Sequence, residues 1–447
     1  MSDQERARRS LVSISIAGAD ITSDIKPYFV SASYTDNEED EADDLQITLQ
    51  DRDGTWLTNW VKSMLDAAST AESGPSKGRL KIEAAFYREN WNGDGKNDTL
   101  KTGSMELDSL DVSGPPSTLT IKATSLPFST KIRQDEQSRA WESYYLSKIA
   151  EEIAAKQGMT CMFLSDQNPF YRRAEQYRMS DIKFLSWLCH AAGISLKTTN
   201  NQLVLFNQKT YEQKDAIMTI RRGSKTYIKY KLGTGKGEVE YQSCRVSYVN
   251  PATGQCIEGV VTVEDYDAEA TTNQQLEITA AVSSIAEAYN LAAKYLRLYN
   301  KYTKQVVFTL PGNTTALAGL PIKLEGWGAF DDTYFIKSAK HSVTKQNGYT
   351  TQITCRSVVP YFDPPAAAVQ QAEAAAAPAA SYNDTGYSGG SSGNNKNINI
   401  DAKFIANAIV KGVKAVATVV PVVAKTFSVA KSIVNAFKGS KGGGGGR

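Results

Sequence analysis

The chain is poor in the residues that most visibly mark catalysis. Histidine occurs only at His190 and His341 in 447 residues, and neither stands in a metal-ligand pattern, so both read as structural. The five cysteines, Cys161, Cys189, Cys244, Cys256 and Cys355, show no CxxC spacing. An odd, scattered set reads as reduced thiols of a protein made in a cytoplasm, not as a disulfide framework or a zinc site. GxSxG, HExxH and a Cys-His pairing with a local motif are all missing, although a carboxylate pair cannot be recognised from sequence alone. Charge of one sign is lacking too: 50 Lys and Arg face 48 Asp and Glu, a net of +2. That balance excludes a protein that coats nucleic acid by neutralising phosphates. No apolar run reaches the length of a bilayer span, and the polar opening residues 1–9 lead to no apolar h-region, so no signal peptide is expected.

What is present is strand periodicity. At roughly 150 residues per domain the length suggests two or three folded units. Val12, Ile14 and Ile16 alternate with serines, and residues 25–34 supply a partner strand. The acidic run 36–44 leads straight into an alternating strand at 45–50, so the acids sit in a loop that feeds a strand. Strands are expected at 80–87, 101–112 and 117–124, with a long hairpin loop at 90–98 rich in Asn and Gly. These make a first β unit over 1–125.

Over 126–210 the period changes. Helices are expected at 138–157, with Tyr145, Ile149 and Ile153 on one face, and at 180–192, with Ile182, Leu185, Leu188 and Cys189. Each leads into strands, at 159–164 and at 194–196 with 202–207, an α+β insertion. Strands return over 215–265, a helix follows at 283–304, and strands at 305–312, 319–326, 332–341 and 348–356 complete a second β unit over 211–360.

Past Pro360 the composition collapses. An Ala, Pro and Gln tract passes into Ser, Gly and Asn, which predicts a flexible linker over 361–400. Beyond it, Phe404, Ile405, Ile409, Val413, Val416 and Val420, then Phe427, Ile433, Val434 and Phe437 after Pro421, recur at helical spacing among lysines. A basic, Pro-kinked amphipathic helix over 401–447 is expected, too weakly apolar to span a membrane and suited to a protein partner. Contact with a membrane surface is a lesser option.

The order of elements resembles a known family. Tyr34-Thr-Asp36 with the acids after it, the run 43–53 and Leu107-Asp-Ser-Leu-Asp-Val112 look like the opening domain of phage late-control-D, or baseplate-hub, proteins. The segment 173–189 followed by 193–197 is similar to that family's middle domain. Residues 319–324, 334–336 and 341–351 resemble its closing domain. Spike proteins of type VI secretion share the two β units. The resemblance spans residues 1–360 and rests on ordered weak motifs. It implies two related tail-tube-like β-barrels per chain, three chains closing into a homotrimeric ring of six barrels, and a structural role with no cofactor. Such a ring adapts a hexameric tail tube to a trimeric spike and lines the conduit of a contractile tail. The implied partners are the tail tube protein, the spike, other baseplate proteins and, through the C-terminal tail, the tape-measure protein, with no sequence-specific nucleic acid. The particle's baseplate is the implied location, after assembly in a bacterial cytoplasm.

Three sets of residues are candidates for function. Asp36, Glu38, Glu39, Asp40, Glu41, Asp43 and Asp44 form a block of like charge, which stays solvated or meets a basic partner. The ten apolar residues of the tail form the second set. In the 90–98 loop, Asn90, Asn92, Asp94, Gly95 and Asp98 imitate a calcium loop, but Lys101 occupies the place of the bidentate Glu, so a plain hairpin loop is preferred. Two other readings stay open: a hub that hydrolyses peptidoglycan, and a hub whose tail perturbs membranes.

Overall fold

The computed structural model describes residues 7–39, 41–61, 80–126, 132, 135–165, 168–192, 194–234, 240–249, 254–263, 266–267, 269–270, 274–280, 282 and 285–360. The expected linker 361–400 and helix 401–447 lie outside them.

The chain is mainly β. It opens with β1 (Arg9–Ile16), β2 (Ala19–Asp20), β3 (Phe29–Asn37), β4 (Asp44–Gln50), β5 (Lys81–Glu89), β6 (Asn97–Lys101), β7 (Met105–Ser113) and β8 (Thr118–Thr124). The segment 25–34 is not the partner of β1, contrary to expectation. β1 lies antiparallel along β5, setting Val12, Ile14 and Ile16 opposite Phe86, Ala84 and Ile82, so two apolar alternations match in register. β3 pairs instead with β4 on one side.

The closing strands are β19 (Lys304–Pro311), β20 (Pro321–Glu325), β21 (Thr333–Thr344) and β22 (Gly348–Ser357), preceded by β14 (Thr219–Arg221) and β15 (Lys229–Thr234). One path of hydrogen-bonded strands joins opening and closing segments in the order β15-β19-β22-β21-β3-β4-β8-β7-β5-β1-β2, with β20 and β14 branching from β21, and β6 from β5. The link is β3 against β21, antiparallel from Ser338 opposite Asn37 to Thr344 opposite Ser31. Among the described residues the path stays open.

The path contains a repeat. The order β3-β4-β8-β7-β5 recurs as β15-β19-β22-β21-β20, with the strands in the same sequence along the chain. Irregularities recur as well: β7 shifts register between Leu107 and Ser109, β21 between Ile336 and Ser338. The likeness ends at the outermost strand, because β14 runs parallel to β20 while β1 runs antiparallel to β5. Each half has its own apolar core, one around Leu45, Ile47, Phe86 and Ile121, the other around Val306, Phe308, Ile322 and Ile353.

Between the halves lie β9 (Glu136–Tyr145), α1 (Leu146–Lys156), β10 (Thr160–Leu164), β11 (Phe170–Ser180), α2 (Asp181–Ala192), β12 (Ile194–Thr199) and β13 (Gln202–Asn207). The helix expected from 138 starts only at Leu146. Residues before it pair as a strand with β11, Trp141 going inward while its neighbours stay outside. Ile149, Ile153, Phe184, Leu188 and Leu205 build the core here.

A separate compact unit holds β16 (Ser243–Val249), β17 (Cys256–Thr262), β18 (Gln275–Thr279) and α3 (Ile285–Asn300). α3 is the helix expected at 283–304, here packed on its own three-stranded sheet through Ala288, Ala292 and Leu296. Gly259 permits that approach: a Cβ there would stand 2.6 Å from the backbone N of Tyr289.

Candidate functional site

The acidic block begins where β3 ends, and the structure turns most of it inward. Asp36, Glu38, Glu39 and Asp43 are buried, Glu41 and Asp44 are exposed, and Asp40 lies outside the described residues. For those four, the solvated or partner-facing loop of the sequence reading is replaced by an internal network. The physical reason is that each finds a cation or donor within its own chain, without which burial of a carboxylate is prohibitive.

Glu38 takes a two-point ion pair from the Arg356 guanidinium of β22, at 3.0 and 2.5 Å. Glu212, in the short helical turn Gln208–Glu212, lies 2.7 Å from the same guanidinium. Arg356 also rests over the Phe335 ring, 4.7 Å from its centroid. Glu39 pairs with Lys301 and accepts from Ser195 Oγ at 2.9 Å and Gln208 Nε2 at 2.7 Å. Asp36 pairs with Lys197 of β12 and accepts from the Ala318 amide at 2.8 Å. Asp43 accepts from the Asn37 amide at 3.0 Å and the Tyr34 hydroxyl at 3.3 Å, while its own amide donates to Ser125 Oγ.

Burial is the dominant electrostatic influence. It raises Glu38, against the pull of Arg356, and lifts Asp43 to about 7, against Lys197 and helped by Asp36. For Arg356 the burial penalty is outweighed by Glu38 and Glu212, so the guanidinium stays charged. Beside them His341 of β21 is fully buried, and burial lowers its imidazole to about 4. A neutral ring here carries its proton on Nε2, which donates to the Ala316 carbonyl at 3.1 Å, and Nδ1 accepts from the Tyr349 hydroxyl at 2.8 Å. His341 thus sits in the structural setting expected of it.

Such saturated pairs fix strands and offer nothing to a substrate. They tie the end of β3 and the loop after it to β12, β22 and the turn Gln208–Glu212, at one end of the β3–β21 link. A surface hollow of about 440 Å³ is lined by Ser143, Tyr145, Lys148, Glu151 and Glu152, yet its two carboxylates are engaged by Lys148 and Arg139. In the 90–98 loop, Asn90 accepts from the Gly95 amide and Asp98 pairs with Arg88 at 2.5 Å, so the loop closes on itself. The ten apolar tail residues lie outside the described residues.

Lys197, Lys301, Arg356, Glu212 and Gln208 were not singled out by sequence reasoning. The one available signal was the acidic block itself, which in a chain of balanced charge requires bases elsewhere, without saying which.

No family model and no curated protein sequence matches the chain. Among solved structures, the tail protein of Neisseria meningitidis MC58 is similar over 78% of this chain and 97% of its own, with a TM-score of 0.57 at 10% identity. The 43 kDa tail protein of prophage MuSo2 from Shewanella oneidensis is similar over 77% and 98%, with a TM-score of 0.56 at 14% identity. A component of the type VI secretion system of E. coli aligns more loosely, over 76% and 77%, with a TM-score of 0.44 at 12% identity. The chain has the fold of phage tail proteins, as the resemblance in its sequence implied.

Proposed function

We propose that the protein is a baseplate hub subunit of a contractile phage tail or tail-like injection particle. Three copies close into a ring whose two tube-like halves per chain give six similar units around a conduit. One face then matches the hexameric tail tube and the other a trimeric spike. The repeat within the main path carries this reading: one chain holds two copies of a five-strand arrangement, already joined edge to edge by β3 and β21. A doubled unit is what a three-fold particle needs to meet a six-fold one. The fold shared with tail proteins supports the same role.

In this reading residues 1–125 and 211–360 supply the two tube-like domains, 126–210 the inserted domain, and 361–400 a tether for the tail 401–447. The tail docks on a protein of the particle, such as the tape-measure protein, and other baseplate proteins surround the ring. The protein acts by packing and charge complementarity, without turnover. Light scattering of the purified protein, with negative-stain images of the same peak, tests the proposal. A three-fold ring with a central hole is expected, and a monomer at every concentration, alone or with tube protein, would overturn it.

A further inference from the structure

The repeat also indicates which surfaces join one copy to the next. We infer that β15 of one chain pairs antiparallel with the second half of β7 in a neighbouring copy, as β3 pairs with β21 within the chain. This rests on the ring reading and specifies its contact.

β21 shows how the internal junction is built. Its first residues, Thr333 to Phe335, pair with β20, and beyond the register shift the strand turns its free side to β3. β7 repeats the arrangement without the last partner. Met105 and Glu106 pair with β5, and after the shift at Leu107 the strand pairs with β8 alone. Among the described residues β15, the counterpart of β3, pairs with β19 alone. Within that set two unpaired edges thus stand where the repeat places the two halves of the made junction, each a row of backbone donors and acceptors open to a further strand.

The ladders carry the register across. Ala339 opposite Ile353 corresponds to Leu110 opposite Ile121, Ile47 opposite Ile121 to Phe308 opposite Ile353, and Ala32 opposite Ile47 to Tyr230 opposite Phe308. The observed pairs Lys340 with Thr35 and His341 with Tyr34 then become Asp111 with Gly233 and Val112 with Leu232.

In that register the side chains agree. Val112 is 39% exposed and Tyr230 52%, and both fall on the face where Leu110 and Leu232 would join them. On the opposite face Asp111 meets Lys231 diagonally, within reach of a long side chain. Charge is complementary more widely: residues 216–237 hold Arg221, Arg222, Lys225, Lys229, Lys231 and Lys236 with no acid, whereas β7 carries Glu106, Asp108 and Asp111, the last also beside Lys122 of its own chain. The two edges differ, so the contact is head-to-tail and closes only as a ring.

Cysteine cross-linking tests the register. In a Cys256→Ser background, which removes the exposed thiol, Asp111→Cys and Gly233→Cys would be combined in one chain. Position 233 has room, since a Cβ there meets nothing nearer than the Gln305 carbonyl at 3.9 Å. Directly opposed residues of antiparallel strands fall within disulfide range. Mild oxidation of the double variant should give a covalent trimer through a dimer, each single variant should give neither, and the two singles mixed should stop at the dimer. A parent of trimeric mass whose double variant fails to cross-link would overturn this junction and leave the ring standing. A parent that stays monomeric, with no cross-link, would overturn both. Lys231→Glu should reduce the trimer and added Asp111→Lys should restore it; loss without restoration would count against the charge pairing.

Discussion

Glu38 and Arg356 are 318 residues apart in the chain and meet as a two-point ion pair with neither side chain exposed. Arg356→Ala would leave Glu38 and Glu212 buried without their cation, a change that costs about 3–5 kcal/mol. Set against a typical stability of about 5–15 kcal/mol, the urea midpoint should fall sharply. Arg356→Lys should recover only part, because one ammonium cannot replace a forked guanidinium between two carboxylates. A midpoint unchanged in Arg356→Ala would show that the pair fixes geometry without adding stability.

Asp43 and His341 should give opposite dependences on pH. The Asp43 carboxyl rises from 3.8 to about 7 on folding, so its contribution is complete below about pH 4 and is lost as pH rises through 7. The His341 imidazole falls from 6.5 to about 4, so its contribution is present above about pH 6.5 and is lost as pH falls through 4. In the parent the two oppose each other across one window. Relative to the parent, Asp43→Asn should gain stability as pH rises from 4 to 7, and His341→Gln should lose it. Melting temperatures at half-unit steps of pH would show this, and parallel curves would refute the assignment.

Gly259→Ala tests the unit made by β16, β17, β18 and α3. The added methyl would press on the backbone of α3, with the Ala288 carbonyl carbon 2.7 Å away, and backbone cannot yield as a flexible side chain does. A loss of about 1–3 kcal/mol is expected for such overpacking. It should appear as faster amide exchange in α3, with the ladders of β19 and β22 unaffected.

Thiol reactivity tests burial. Cys256 is exposed, whereas Cys189, Cys244 and Cys355 are buried and Cys161 is half-buried. Burial raises the Cys161 thiol to about 11 and Cys244 to about 12. At pH 7.5, a value chosen to keep about a tenth of an ordinary thiol ionised, one equivalent of maleimide should react quickly with the native protein. All five thiols should react in denaturant. Rapid labelling of more than two in the native state would contradict the packing.

Much of the strand pattern was legible in the sequence because half-buried strands advertise themselves. Val306, Phe308 and Leu310, or Thr351 and Ile353, alternate with exposed or half-buried neighbours, and both strands lie where expected. β9 was not legible, since Tyr145, Ile149 and Ile153 do lie at helical spacing, but the residues before Leu146 owe their extended form to β11. Partner choice was no clearer: alternation in β1 shows that it is a strand, while only its match with Ile82 and Phe86 shows beside which strand it lies. The candidate site was the least legible part. Lysine and arginine are ordinarily surface residues, and nothing local to Lys197, Lys301 or Arg356 signals that each will be enclosed beside an acid from β3 or the loop after it.

The β3–β21 link sets a constraint on synthesis. β3 leaves the ribosome some 300 residues before the strand that covers its second edge. At about 5–20 residues per second that is roughly 15–60 s of waiting. Throughout this interval β3 offers an open edge to any other nascent chain. The acids that follow it wait about as long for their cations: Lys301 comes 262 residues after Glu39 and Arg356 318 residues after Glu38. Edge and carboxylates are therefore completed together, by the same late segment of the chain.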